Sequence, residues 1–175
     1  MLSQIYLIRH AAPDRASGIA YNVPPGPPLT PAGLQEASQA AEWLALRPPQ
    51  QIFSSPFLRT ATTSEIIADR LRLPLTYVEA LREGSPGESR EAIRARIGEL
   101  LTQLDDGPIS HVALVSHGIC ILTLLQITTN DTIDLSAHRY DYGNHAPTAG
   151  IWQGVRHTTG WRWDLVFRPS DVVAV

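Results

Sequence analysis

Four short apolar runs, each too brief to form a helix, recur along the chain: Ile5 to Ile8, Gln51 to Ser54, Leu75 to Val78 and Val112 to Val115. Runs of this length bounded by turn signals read as buried strands. The stretches between them have helical period. Thr30 caps a helix with Pro31 at its first position and Leu34, Ala37, Ala41, Leu44 and Ala45 on one face, and Pro48 and Pro49 stop it. Ser55 and Pro56 signal the start of a second helix running to about Leu71. Ser85 and Glu88 have capping-box spacing ahead of a stripe made by Ile93, Ile97, Leu100, Leu101 and Leu104, which Gly107 and Pro108 end. Gly118 to Gln126 is the helix after the fourth run, and Gly150 to Val155 with Trp161 to Phe167 flank Thr158, Thr159 and Gly160 as a hairpin.

Alternating strands and helices imply right-handed crossovers. The expected class is α/β: a three-layer α/β/α sandwich with a mostly parallel sheet and, because of the hairpin, at least one antiparallel edge strand. With 175 residues and no internal linker, residues 1–175 form a single domain. The connections Ala11 to Leu29 and Thr128 to Ala149 are long for such a fold, which marks them as site-lining loops. Trp152, Trp161 and Trp163 fall in or beside the hairpin, where they pack the sheet.

Composition removes several chemistries. All 14 basic residues are arginine, so neither a Schiff-base lysine nor a P-loop lysine exists. A net charge of −3 with 18% charged residues argues against a nucleic-acid partner. Cys120 is the single cysteine, which excludes an internal disulfide and a thiolate zinc cluster and suggests a reducing compartment. The N-terminus has no basic leader, and the most apolar stretch, Ile119 to Ile127, is too short to span a membrane. A cytoplasmic location without a membrane partner is expected. His111, His138, His145 and His157 lack ligand spacing, so no metal is expected. Oligomeric state stays open, with the apolar tail Val172 to Val175 available for the sheet or a second subunit.

In open α/β sheets ligands bind beyond the carboxyl ends of the strands. The first run ends in Arg9 and His10, the second leads through Ser54 and Ser55 to Arg59, the third leads to Glu83, and the fourth ends in His117 and Gly118. Two guanidinium forks, two imidazoles and a carboxyl group suit a phosphate ester. The forks hold the non-bridging oxygens, a neutral imidazole attacks phosphorus, and the acid protonates the departing oxygen. The free N–H groups of the helix starting near Pro56 would add to the phosphate pocket.

The strings Leu7-Ile8-Arg9-His10-Ala11, Ser54-Ser55-Pro56-Phe57-Leu58-Arg59-Thr60-Ala61, Gly87-Glu88-Ser89 and Val115-Ser116-His117-Gly118, with Leu29-Thr30, Gly33 and Ala37, resemble the histidine phosphatase (phosphoglycerate mutase-like) superfamily, in its small phosphatase branch. The resemblance covers roughly the whole chain. It implies a cofactor-independent phosphatase acting on a phosphorylated small molecule or phosphoprotein, phosphohistidine protein included, through a covalent phosphohistidine. On that implication His10 is the nucleophile, Arg9, Arg59 and His117 bind the phosphoryl group with it, and Glu83, in Leu81-Arg82-Glu83, is the proton donor. Glu79 and Glu88 are the neighbours that could displace it. Ala11 departs from the family's usual glycine, the glycine and tryptophan pattern after the acid is absent, and only the distant Asn22 offers the polar residue that often joins the pocket. A phosphomutase and a phosphate-binding module without turnover are the alternatives. Among the loop residues, Asp14, Arg15 and Arg139 carry the charge that would select a substrate, and Tyr140, Tyr142 and Asn144 stand beside them in sequence.

Overall fold

In the computed structural model, which describes residues 1–169, the first apolar run extends into the charged pair and becomes β1 (Gln4–Arg9). It is followed by α1 (Pro31–Ala45), β2 (Gln51–Ser54), α2 (Leu58–Leu71), β3 (Leu75–Tyr77), α3 (Arg90–Asp106), β4 (His111–Ser116), α4 (Gly118–Thr128), β5 (Ile151–His157) and β6 (Gly160–Phe167). The sheet order is β3-β2-β4-β1-β5-β6. The four central and left-hand strands are mutually parallel, β5 runs antiparallel to β1, and β6 closes the edge antiparallel to β5. The tail Val172 to Val175 lies outside the described residues.

Alternate residues of β1 serve the two faces, since Ile5 and Leu7 join one apolar core while Tyr6 and Ile8 join the other. Helices α1 and α2 cover the second face through Ala37, Ala40, Ala41, Leu44 and Ile67, and the run of small alanines lets α1 lie close to the strands. Helices α3 and α4 cover the first face through Ile93, Ile97, Leu100, Ile121, Leu124 and Leu125, with Trp152 of β5 beneath them. This is the expected three-layer sandwich. No helix among the described residues is long and apolar enough to cross a membrane.

Thr30 caps α1 as expected, its hydroxyl accepting the Gly33 N–H at 2.9 Å. Leu34 is exposed instead of facing the core, because Gly33 takes the buried position against the Ala12 backbone. Two helix starts move downstream. Helix α2 begins at Leu58 and not at Pro56, since the Ser55 hydroxyl is committed to His117 and caps nothing on α2 beyond a 3.3 Å bond from the Phe57 N–H. Helix α3 is capped by Ser89, whose hydroxyl accepts the Ala92 N–H, while Glu88 folds back onto arginines and the Ser85 N–H.

Strand connection changes direction between β1, which leads to α1 on one face, and β4, which leads to α4 on the other. The register pairs Arg9 with Ser116 and Ser54 with Val115. His10, Ser55 and His117 are thus each the first residue beyond neighbouring strands, at the crevice where such folds bind ligands.

Candidate active site

The two histidines meet inside the protein. His10 is 1% exposed and His117 0%, and their ring centroids are 5.4 Å apart. His10 Nδ1 lies 2.8 Å from the Ala11 carbonyl oxygen, which can only accept, so Nδ1 carries the proton and Nε2 presents a lone pair. The Tyr21 hydroxyl donates to that Nε2 at 3.2 Å. For His117 the logic runs the other way. Arg59 Nη2 donates to Nδ1 at 3.1 Å, so the proton sits on Nε2 and goes to Ser55 Oγ at 2.8 Å. Ala11, whose methyl group stands where the resemblance would place a glycine, is fully buried with its N–H bonded to Thr63 Oγ1.

Arg59 is fully buried and organises the rest. Its Nη1 donates to the Tyr21 carbonyl at 3.0 Å and its Nη2 to Glu83 Oε2 at 3.2 Å, and its guanidinium lies 4.1 Å from the Tyr21 ring centroid. Only glycine fits at position 26, where φ is +73° and an added Cβ would come within 2.6 Å of Arg59 Nη1. The loop thereby closes over the arginine. It also uses the start of α2, because the Pro25 carbonyl takes the Leu58 N–H, so the helix terminus is not left open as the sequence suggested.

Arg9 brings a finding the sequence did not signal. Both its Nη atoms bond Asp141, at 2.6 and 2.8 Å, and Nη1 also reaches the Ala146 carbonyl. Partial burial works to raise the Asp141 carboxyl, but the paired guanidinium overrides it and the net shift is downward. Arg9 Nε and Arg59 Nε are both buried with no partner. Two orphaned N–H donors on buried cations are costly unless an anion completes them.

Of the three carboxyl groups weighed for the acid, one reaches the site. Glu83 Oε2 sits 3.2 Å from Arg59 and 3.5 Å from His117 Nδ1, and Oε1 accepts the Gly84 N–H. Glu88 is locked between Arg96 and Arg82; Arg96 first, then the Ser85 N–H and Arg82, hold it at about 2 against burial, so it has no proton to give near neutrality. Glu79 is exposed and lines a separate groove with Arg82 and Arg96.

A cleft of 310 Å³ opens onto these groups, lined by Arg9, His10 and Glu83, by Arg15, Tyr21 and Asn22 of the first long loop, and by Gly118, Ile119, Tyr142 and Asn144. Asn22 does reach the cleft. Of the loop residues weighed, Tyr142, Asn144 and Arg15 line it, while Asp14, Arg139 and Tyr140 do not. Tyr21 and Asp141 escaped sequence reasoning. The one available signal for Asp141 was that a buried arginine at a strand end needs a carboxylate, and a loop aspartate supplies one. Among the described residues no three His, Cys, Asp or Glu side chains gather to hold a metal.

The histidine phosphatase superfamily (branch 1) model matches residues 5–85, the segment that holds Arg9, His10, Arg59 and Glu83. The histidine phosphatase resemblance is borne out over that segment. Among solved structures, mycobacterial glucosyl-3-phosphoglycerate phosphatase in complex with VO3 is 22% identical with a TM-score of 0.71, covering 95% of this chain and 98% of its own. SixA from Agrobacterium tumefaciens is 20% identical with a TM-score of 0.72, covering 96% and 99%. YhfR from Bacillus stearothermophilus is 18% identical with a TM-score of 0.74, covering 93% and 95%. At these identities the likeness is one of fold. No curated protein matches the chain.

Burial first, then neighbouring groups, hold both histidines well below 6.5: Arg59 and Arg9 act on His10, and the His10 ring and Arg59 on His117. The unfolded chain regains ordinary imidazoles near 6.5, so below that pH it binds protons the folded state refuses. Stability is full above about pH 6.5 and falls as pH drops toward the folded values, each histidine contributing a slope of about 1.4 kcal/mol per pH unit. Denaturant midpoints at pH 7.5 and 5.5 should show this loss, and His117→Gln should lower the slope by one proton. A flat profile would count against the neutral, buried pair.

Proposed function

We propose that the chain hydrolyses phosphate monoesters through a phosphohistidine on His10. The observation that carries this is the fixed tautomer of His10, which lines the cleft with Arg9 and Glu83, presents its Nε2 lone pair to the Tyr21 hydroxyl at the cleft wall, and is kept neutral by burial and two cations. In the first step Nε2 attacks phosphorus in line, the ester P–O bond breaks, and Glu83 gives its proton to the departing oxygen. Water then attacks phosphorus, the P–N bond breaks with its electron pair returning to Nε2, and Glu83 takes the proton from water. Arg9, Arg59 and His117 stabilise the charge on the equatorial oxygens, a role the orphaned Nε–H groups of both arginines support. At Arg9 the phosphoryl group competes with Asp141, whose side chain is 40% exposed and swings into water as the anion enters.

The solved mycobacterial phosphatase of the same fold, described with VO3 and with inorganic phosphate, supports an anion of this type in the cleft. The proposed chemistry draws on side chains alone, and the single buried thiol of Cys120 suits the reducing cytoplasm. A rapidly quenched reaction with a labelled aryl phosphate tests the proposal. Protein-bound label should be acid-labile and base-stable, as a phosphohistidine is. Label recovered on serine or aspartate would overturn it.

A further inference from the structure

Arg15 stands apart from Arg9 and Arg59. Arg9 is spent on Asp141 and Arg59 on Glu83, whereas Arg15 makes no ion pair and no hydrogen bond among the described residues. It is exposed, as is Tyr142, yet its guanidinium rests against aromatic rings. Its Cζ lies 4.1 Å from the centroid of the Tyr21 ring and 4.1 Å from that of Tyr142, so two rings from two different loops hold one guanidinium. Tyr142 adopts φ 54° and ψ 27° to be there, a left-handed conformation that is costly for a tyrosine.

Stacking engages the faces of a guanidinium and leaves its in-plane N–H edge free. A planar fork held between two rings, with no acceptor among the described residues, is what a carboxylate or phosphate needs for bidentate binding. The position is informative too. Tyr21, one of the two holding rings, donates its hydroxyl to His10 Nε2, and its ring centroid is 6.4 Å from that of His10. Arg15 is therefore one ring away from His10, and Asn22 and Asn144 line the cleft alongside it.

We propose that Arg15, clamped by Tyr21 and Tyr142, is a subsite for a second anionic group of the substrate, a few bonds from the phosphate that His10 receives. This rests on the phosphatase reading for the position of the first phosphate, and it turns the choice between a phosphorylated small molecule and a phosphoprotein toward a small, doubly anionic ester. The second anion is a carboxylate or a further phosphate, which the guanidinium fork accepts alike.

Calorimetric binding of non-hydrolysable probes tests the subsite without requiring turnover. Propylphosphonate presents one anion, 3-phosphonopropionate adds a carboxylate, and ethane-1,2-diphosphonate adds a second phosphonate. The better of the two-anion probes should bind about tenfold tighter than propylphosphonate, and which one wins identifies the second anion. In Arg15→Gln that ratio should fall toward one, and Arg15→Lys, which keeps the charge without the planar fork, should recover part of it. Equal affinities in the unaltered protein, or a ratio that survives Arg15→Gln, would overturn the subsite. An Arg15-dependent ratio in a protein that forms no phosphohistidine would remove the hydrolytic reading and leave the subsite standing, and turnover with an Arg15-independent ratio would do the reverse.

Discussion

His10→Ala is expected to lower kcat/KM for p-nitrophenyl phosphate on the order of 10⁵-fold, the scale seen when a covalent nucleophile is removed from an otherwise intact site. The arginines and His117 survive the substitution, so phosphate is still bound. What disappears is the His10 Nε2 lone pair to which the proposed mechanism assigns the attack on phosphorus. Alanine also strands the buried Ala11 carbonyl, which His10 Nδ1–H satisfies at 2.8 Å, and an unpaired buried acceptor costs about 1–3 kcal/mol. His10→Asn separates the two effects. Its amide N–H can still reach toward the Ala11 carbonyl, yet an amide nitrogen has no lone pair for phosphorus. Both variants should be equally inactive, while the asparagine variant should unfold nearer the temperature of the unaltered protein. Activity above about one hundredth of normal in either variant would mean that His10 is not the nucleophile.

The sheet was legible because its strands state their ends chemically. Strands β1 and β4 run from apolar residues straight into Arg9-His10 and His117, and the register that levels Arg9 with Ser116 follows from parallel pairing of two such runs. Arg59 and Glu83 were reachable by the same reading, since each follows a strand at the same edge. The helix starts were misread where a side chain has a distant use. Ser55 looks like a cap in sequence, but its hydroxyl serves His117, 62 residues away. Glu88 looks like the far half of a capping box, but Arg82 and Arg96 draw it off. Tyr21 and Asp141 belong to long loops without periodicity, and their roles appear only once the loops are folded against His10 and Arg9, 11 and 132 residues away along the chain. Local propensity carries no information about contacts of that kind.

Glu83→Gln is expected to show its effect in the leaving group. Of the three carboxyl groups, Glu83 lines the cleft with His10, whereas Glu79 is exposed in another groove and Glu88 is held as an anion by Arg96 and Arg82. Glutamine keeps the size of the side chain, and its amide oxygen can still accept from Arg59 Nη2, but it has no acidic proton. A general acid contributes roughly 10²- to 10⁴-fold, and most when the departing oxygen is strongly basic, because only then must a proton arrive as the bond breaks. Where phosphorylation of His10 limits turnover, the variant should lose far more activity on an alkyl phosphate than on p-nitrophenyl phosphate, whose leaving group departs readily as an anion. A structural role predicts otherwise. Glu83 also anchors Arg59 at 3.2 Å and stands 3.5 Å from His117, so if it only holds those two side chains in place, both esters should suffer alike. Equal losses would assign Glu83 to positioning and leave the proton to come from solvent, and a large disparity between the esters would assign it to the reacting oxygen itself.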